Sequence, residues 1–91
     1  MPRIERQVYI CNRLGLHARA AIQLVELAQS FDAVITLKNT EKEARVEGVI
    51  GLLMLESAKG ELLSVIAEGA QANMALDAVC ELIEAGFHEN E

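Results

Sequence analysis

Residues 4–11 alternate, with Ile4, Val8 and Ile10 on one side and Glu5, Gln7 and Tyr9 on the other, although Arg6 breaks the apolar row. A period of two predicts an N-terminal strand. Asn12-Arg13-Leu14-Gly15-Leu16 reads as a turn-prone loop. Over 18–30 the period lengthens, and Ala21, Leu24, Val25, Ala28 and Phe31 fall on one helical stripe. Ala33, Ile35 and Leu37 alternate again, and Asn39-Thr40-Glu41-Lys42 predicts a polar hairpin into a short strand over 43–46. Gly48 is an acceptable N-cap for a short apolar helix over 49–55. Lys59-Gly60 turns the chain into a last strand over 62–68. Ala72, Leu76, Val79, Cys80, Ile83 and Phe87 mark a final helix that Gly86 would end.

The predicted order is therefore β-α-β-β-α-β-α. Helices with a single apolar stripe need a sheet face to cover, so the economical arrangement is an α+β two-layer sandwich, one four-stranded sheet with three helices on one side. With 91 residues and neither repeat nor linker, residues 1–91 form a single domain.

Composition then narrows the classes. A chain that is 52% hydrophobic is too apolar to be disordered. Its longest apolar run, 49–55 and broken by Gly51, is far short of the ~20 residues that a bilayer span requires. No basic-then-apolar opening suggests a secretion signal. Cys11 and Cys80 have no neighbouring ligands at metal spacing and are too few for a disulfide framework. A cytoplasmic domain is the expectation, with neither metal nor cofactor. A net charge of −6 and three aromatic residues disfavour nucleic-acid binding. The first thirty residues nevertheless hold Arg3, Arg6, Arg13 and Arg19 against Glu5 and Glu26, so this third is locally cationic.

One segment carries chemistry. In Gly15-Leu16-His17-Ala18-Arg19, a histidine stands where a loop ends and a helix begins. The first N–H groups of a helix lack intrahelical acceptors and bear partial positive charge, which suits an anion. An exposed neutral imidazole there is a nucleophile beside phosphate-holding donors. Arg19 adds a planar, permanently charged fork. Gly15 lets the loop approach its neighbours closely. No second catalytic group stands near His17 in the pattern.

The run Asn12-Arg13-Leu14-Gly15-Leu16-His17-Ala18-Arg19-Ala20-Ala21 closely resembles the active-site segment of the HPr family, the histidine phosphocarriers of the bacterial phosphoenolpyruvate phosphotransferase system. Three further stretches resemble the nitrogen-branch members of that family: Phe31-Asp32-Ala33, residues 49–60, and Gly86-Phe87-His88-Glu89. The resemblance implies the same sandwich and a stoichiometric relay rather than an enzyme. Enzyme I would phosphorylate Nδ1 of His17, and a IIA-type protein would take the group onward. It assigns phosphate binding to the Ala18 and Arg19 backbone N–H groups with the Arg19 side chain. Docking falls to Gly48, Val49, Ile50 and Leu53 on the short helix; a carrier that shuttles between partners is most useful as a monomer. Two departures stand out. Ala20 replaces the family's usual proline, and Gly48 replaces a serine that is a regulatory site in many sugar-branch members. A sugar-branch carrier and a binding module that relays nothing are the alternatives.

The other chemically capable residues have plainer readings. Cys80 lies on a core stripe, Cys11 ends a strand, and Met54 and Met74 read as packing residues. His88 belongs to a solvated acidic tail with Glu89 and Glu91, and Glu41, Glu43 and Glu47 form a solvated acidic face.

Overall fold

The periodic stretches become the elements their spacing predicts. In the computed structural model, which describes residues 2–89, the chain runs β1 (Arg3–Tyr9), α1 (Ala18–Ala28), β2 (Val34–Lys38), β3 (Glu43–Arg45), α2 (Val49–Leu53), β4 (Leu62–Glu68) and α3 (Ala72–Glu84). A left-handed turn with i→i−3 hydrogen bonds, Gly86–His88, follows α3. The strands form one antiparallel sheet in the order β1-β4-β2-β3.

Register explains the two faces. Directly opposed residues share a face in an antiparallel ladder. Val8 opposes Leu63, Ile4 opposes Ala67 and Ile35 opposes Ala67, while Val65 opposes both Arg6 and Leu37. Leu37 also opposes Ala44. This row meets the helices, and Val8, Leu63, Val65, Ala67, Ile35 and Leu37 are all buried. The other row holds the exposed Glu5, Gln7, Tyr9, Leu62 and Lys38, with Ile66 buried on the central strand. Leu24, Ala21, Leu52, Ala75, Val79, Cys80 and Ile83 supply the helical half of the core. Arg6 lies on the inward row of an edge strand yet stays exposed, because its guanidinium reaches out to Asp77 of α3 at 2.7 Å. A long charged side chain at the rim can lay its stem on apolar surface and keep its head in water.

The ends of several elements differ from their predicted limits for local reasons. β1 stops at Tyr9 because its partner β4 begins at Leu62; Ile10 then bonds the turn instead, donating to Glu61 O at 3.0 Å and accepting from Gly60 N at 2.8 Å. α1 ends at Ala28 as the ladder tightens, Ser30 N donating to Leu27 O and Phe31 N to Ala28 O. α2 tightens in the same manner after Leu53, and Glu56, with φ +52°, reverses the chain. Met54 and Met74 are not packing residues: both are exposed.

Within α2, opposite faces separate core from surface. Leu52 is fully buried, whereas Ile50 is 71% exposed. Leu52→Ala should cost about 2–5 kcal/mol, and Ile50→Ala should stay within about 0.5 kcal/mol. Urea unfolding of the two variants checks the contrast, and equal losses would contradict this packing.

Candidate functional site

The loop before α1 is braced from both sides. Asn12 is buried, and its Nδ2 donates to Gly15 O at 2.8 Å, while Gly15 N donates back to Asn12 O at 3.2 Å. Gly15 has φ +66°, and a Cβ there would lie 2.6 Å from Ser57 O and 2.9 Å from Ala58 Cα. Only glycine supplies both the left-handed backbone and the missing volume. Leu16 N then donates to Ser57 O at 3.0 Å, and the Leu16 side chain is buried. The loop thus reaches the helix in one fixed path.

That path leaves His17 as the N-cap of α1, with extended backbone (φ −88°, ψ 179°). Its Nδ1 accepts the backbone N–H of Arg19 at 3.2 Å, so the ring itself caps the helix. A ring nitrogen that accepts carries a lone pair, and in a neutral imidazole the proton then resides on the other nitrogen. Here Nε2 faces Glu89 Oε2. The geometry therefore favours Nε2–H donating to the carboxylate, with the Nδ1 lone pair turned to the helix N-terminus. The His17 side chain is only 24% exposed, not open as its loop position suggested, because Glu89 covers one edge of the ring.

Glu89 is the residue that sequence reasoning missed, and it supplies the second titratable group that the pattern near His17 lacked. Three consecutive left-handed residues bring it back over the loop: Gly86 (φ +64°), Phe87 (φ +57°) and His88 (φ +59°). For Phe87 and His88 this backbone costs roughly 1–2 kcal/mol each. Burial of Phe87, 2% exposed, offsets about 1.5–3 kcal/mol of that. Glu89 Oε1 accepts from Asn12 Nδ2 at 3.0 Å. Asn12 directs its amide nitrogen to both Gly15 and Glu89, and its buried Oδ1 has no hydrogen-bond partner among the described residues. The hydrogen bonds from His17 and then Asn12 hold the Glu89 carboxyl below its ordinary range, against the opposing effect of burial; the nearby charges of His17 and Arg19 add to the depression.

These groups edge an open cleft of about 570 Å³ that also meets Arg13, Arg19, Gln23 and His88. Arg19 and Ala18 are exposed on the first turn of α1, and His88 is exposed at the cleft rather than in a remote tail. Ala20 is fully buried beneath them. α2 packs on α1 and β3. On it Gly48 and Ile50 face outward, whereas Val49 and Leu53 are half-buried against the core. Met54, 61% exposed, joins this apolar surface and was not anticipated. Cys11 is exposed, with Sγ 3.3 Å from Glu84 O; Cys80 is buried. Among the described residues no group of three or more His, Cys, Asp or Glu could hold a metal ion, and no helix is long and apolar enough to cross a membrane.

The depressed Glu89 carboxyl sets a pH dependence. Its contribution is fully present above the ordinary value of 4.5 and is lost as pH falls through the lower folded value. The stability difference between the native chain and Glu89→Gln should therefore be constant near neutrality and shrink below pH 4.5. Unfolding free energies measured across this range check it, and a difference that grows on acidification would contradict the arrangement.

Comparison with known proteins gives the family of the chain. The family model described as PTS HPr component phosphorylation site matches residues 4–85. Phosphocarrier protein NPr of Shewanella violacea is 52% identical over 89 residues, covering 98% of each chain. Phosphocarrier protein NPr of Escherichia coli K12 is 49% identical over 88 residues, covering 96% of this chain and 98% of the relative. The crystal structure of HPr-C-His from Thermoanaerobacter tengcongensis superposes with a TM-score of 0.90 at 31% identity, covering 97% of this chain and 99% of that one. A braced loop, a histidine capping α1 and a cationic cleft thus occur within a whole-length match in sequence and fold, and the chain belongs to the HPr family of the phosphotransferase system.

Proposed function

We propose that His17 is the phosphoryl acceptor of this phosphocarrier, loaded on Nδ1 by Enzyme I and unloaded to a IIA-type protein of the nitrogen-related branch. The observation that carries the reading is the Nδ1 lone pair, held at the N-terminus of α1 by the Arg19 N–H and bordered by an open cleft with two arginines. The nitrogen-branch assignment is supported by two NPr relatives identical at about half of all positions.

The chemistry asks little of the protein beyond position and charge. The Nδ1 lone pair attacks phosphorus as the donor's N–P bond breaks and its electron pair returns to the donor nitrogen. The Arg19 N–H then loses its ring acceptor and becomes available to a phosphoryl oxygen, together with the Ala18 N–H and the Arg19 guanidinium. Onward transfer reverses these steps, so the protein ends unchanged and acts as a carrier rather than an enzyme. Ala20 keeps an N–H where proline would have none, which leaves anion binding intact. Gly48 has no hydroxyl, so a serine-directed switch cannot operate at that position.

Partners dock on Gly48, Val49, Ile50 and Leu53, with Met54 extending the patch. A small apolar surface near a cationic cleft suits brief encounters with acidic partners. The working form is a monomer in the cytoplasm, with no cofactor.

Incubation with Enzyme I, magnesium and phosphoenolpyruvate should add one acid-labile phosphate to the intact mass, and none to His17→Ala. Because His17 caps α1, that variant should also lose about 0.5–2 kcal/mol of stability. An unmodified native chain beside active Enzyme I would overturn the relay and leave a binding module. Gly48→Glu meets open space, with no atom within 4 Å of the new Cβ. It should weaken Enzyme I binding in calorimetry with little change in stability; undiminished binding would remove α2 from the interface.

A further inference from the structure

We propose that Glu89 is a positioning residue for phosphoryl transfer: held by Asn12, its carboxylate keeps the His17 proton on Nε2 and balances the charge that the ring acquires when Nδ1 bonds phosphorus. This deepens the reading of His17 as phosphoryl acceptor and rests on it.

Three features of the structure converge on this role. The first is the pair of contacts on the ring. Nδ1 accepts from the Arg19 N–H and Nε2 faces Glu89 Oε2, so both nitrogens have partners and only one tautomer satisfies both. The second is the hold on the carboxylate. Asn12 Nδ2 donates to Glu89 Oε1 and to Gly15 O, so one buried amide spans the histidine loop and the returning chain. In this orientation Asn12 Oδ1 has no hydrogen-bond partner among the described residues, and the amide's donor side is given over to Gly15 and Glu89. The third is the route of the chain. Two non-glycine residues adopt left-handed backbone immediately before Glu89, and Phe87 is buried to anchor them. Strained backbone persists where the surrounding structure over-determines it, commonly at functional sites.

The chemical consequence follows from proton and charge balance. As the Nδ1–phosphorus bond forms and the donor N–P bond breaks, no proton leaves His17. Nε2 keeps its hydrogen and the ring becomes formally cationic. A carboxylate on Nε2 stabilises that cation directly. The two ring nitrogens point away from one another, so the carboxylate approaches the ring from the edge opposite the phosphoryl group. Arg19, Arg13 and His88 share the cleft on which the phosphoryl oxygens enter. When the group passes on, the electron pair returns to Nδ1 and the ring is neutral again. Glu89 thereby favours the loaded form without touching phosphate.

The test uses the full chain with ¹⁵N-labelled histidine, the Glu89→Gln and Glu89→Ala variants, and Enzyme I with phosphoenolpyruvate. Circular dichroism first verifies that each variant is folded. Ring ¹⁵N shifts at neutral pH should show His17 in the native chain as the Nε2–H tautomer; a predominant Nδ1–H form overturns the proposal without any variant. Glu89→Ala should lose the tautomer preference, and Glu89→Gln, which sets an amide N–H against either Asn12 or Nε2, should weaken it. Initial rates of phosphoryl acceptance should fall roughly tenfold to hundredfold, the range found when the partner of a ligating histidine is removed. A native rate or a native tautomer in folded Glu89→Ala overturns the role. A native chain that gains no phosphate at His17 instead defeats the underlying relay, so the two failures are distinct.

Discussion

The proposed site of this carrier depends on one hydrogen bond, from the backbone N–H of Arg19 to Nδ1 of His17. A helix N-terminus must find acceptors for its first N–H groups, and here the acceptor is the side chain proposed to take the phosphoryl group. The bond fixes the ring's rotamer, marks Nδ1 as the lone-pair nitrogen and sets it where the helix dipole favours an incoming anion. Structural need and chemical readiness are therefore met by one contact. The contact is also reversible, since an N–H released by the ring is well placed for a phosphoryl oxygen.

Precision at that contact comes from parts of the chain far apart in sequence. Ser57 and Ala58 press on Gly15, Asn12 ties the loop together, and the turn after α3 places Glu89 on the ring's other edge. Beneath this, the inward row of the sheet supports α1 and α3, and the fully buried Ala20 and Ala21 let α1 lie close on its neighbours. A rigid two-layer base thus carries a site made mostly of loop and helix ends. That division suits a phosphocarrier, whose site must keep one geometry through repeated loading and unloading.

Much of the fold was legible in the chain. Alternation at Ile35 and Leu37 and the stripe through Leu76, Val79, Cys80 and Ile83 report burial directly, because sheet and helix periods project those residues onto one face. The errors cluster where neighbours decide. β1 is shorter than its pattern because β4 begins at Leu62, and Arg6, which spoiled the apolar row, is accommodated by Asp77, distant in sequence. Met54, just past α2, and Met74, on α3, look like core residues by composition, yet their positions turn them outward.

For the site the division is sharper. The sequence alone determined that a histidine would stand at a loop–helix junction, with an arginine two residues on and a glycine two residues before. Those are short-range relations, and the geometry of one helical turn enforces them. Only the tertiary structure decided that the histidine's second nitrogen would meet a carboxylate. Glu89 reads as one more acid in a charged tail, and nothing in its neighbours' periodicity points to His17. Its placement requires left-handed backbone at Phe87 and His88, burial of Phe87 and an amide from Asn12, none of which is a local preference of those residues. A contact that runs against local preference is set by packing, and packing is settled only when the whole chain has closed on its core.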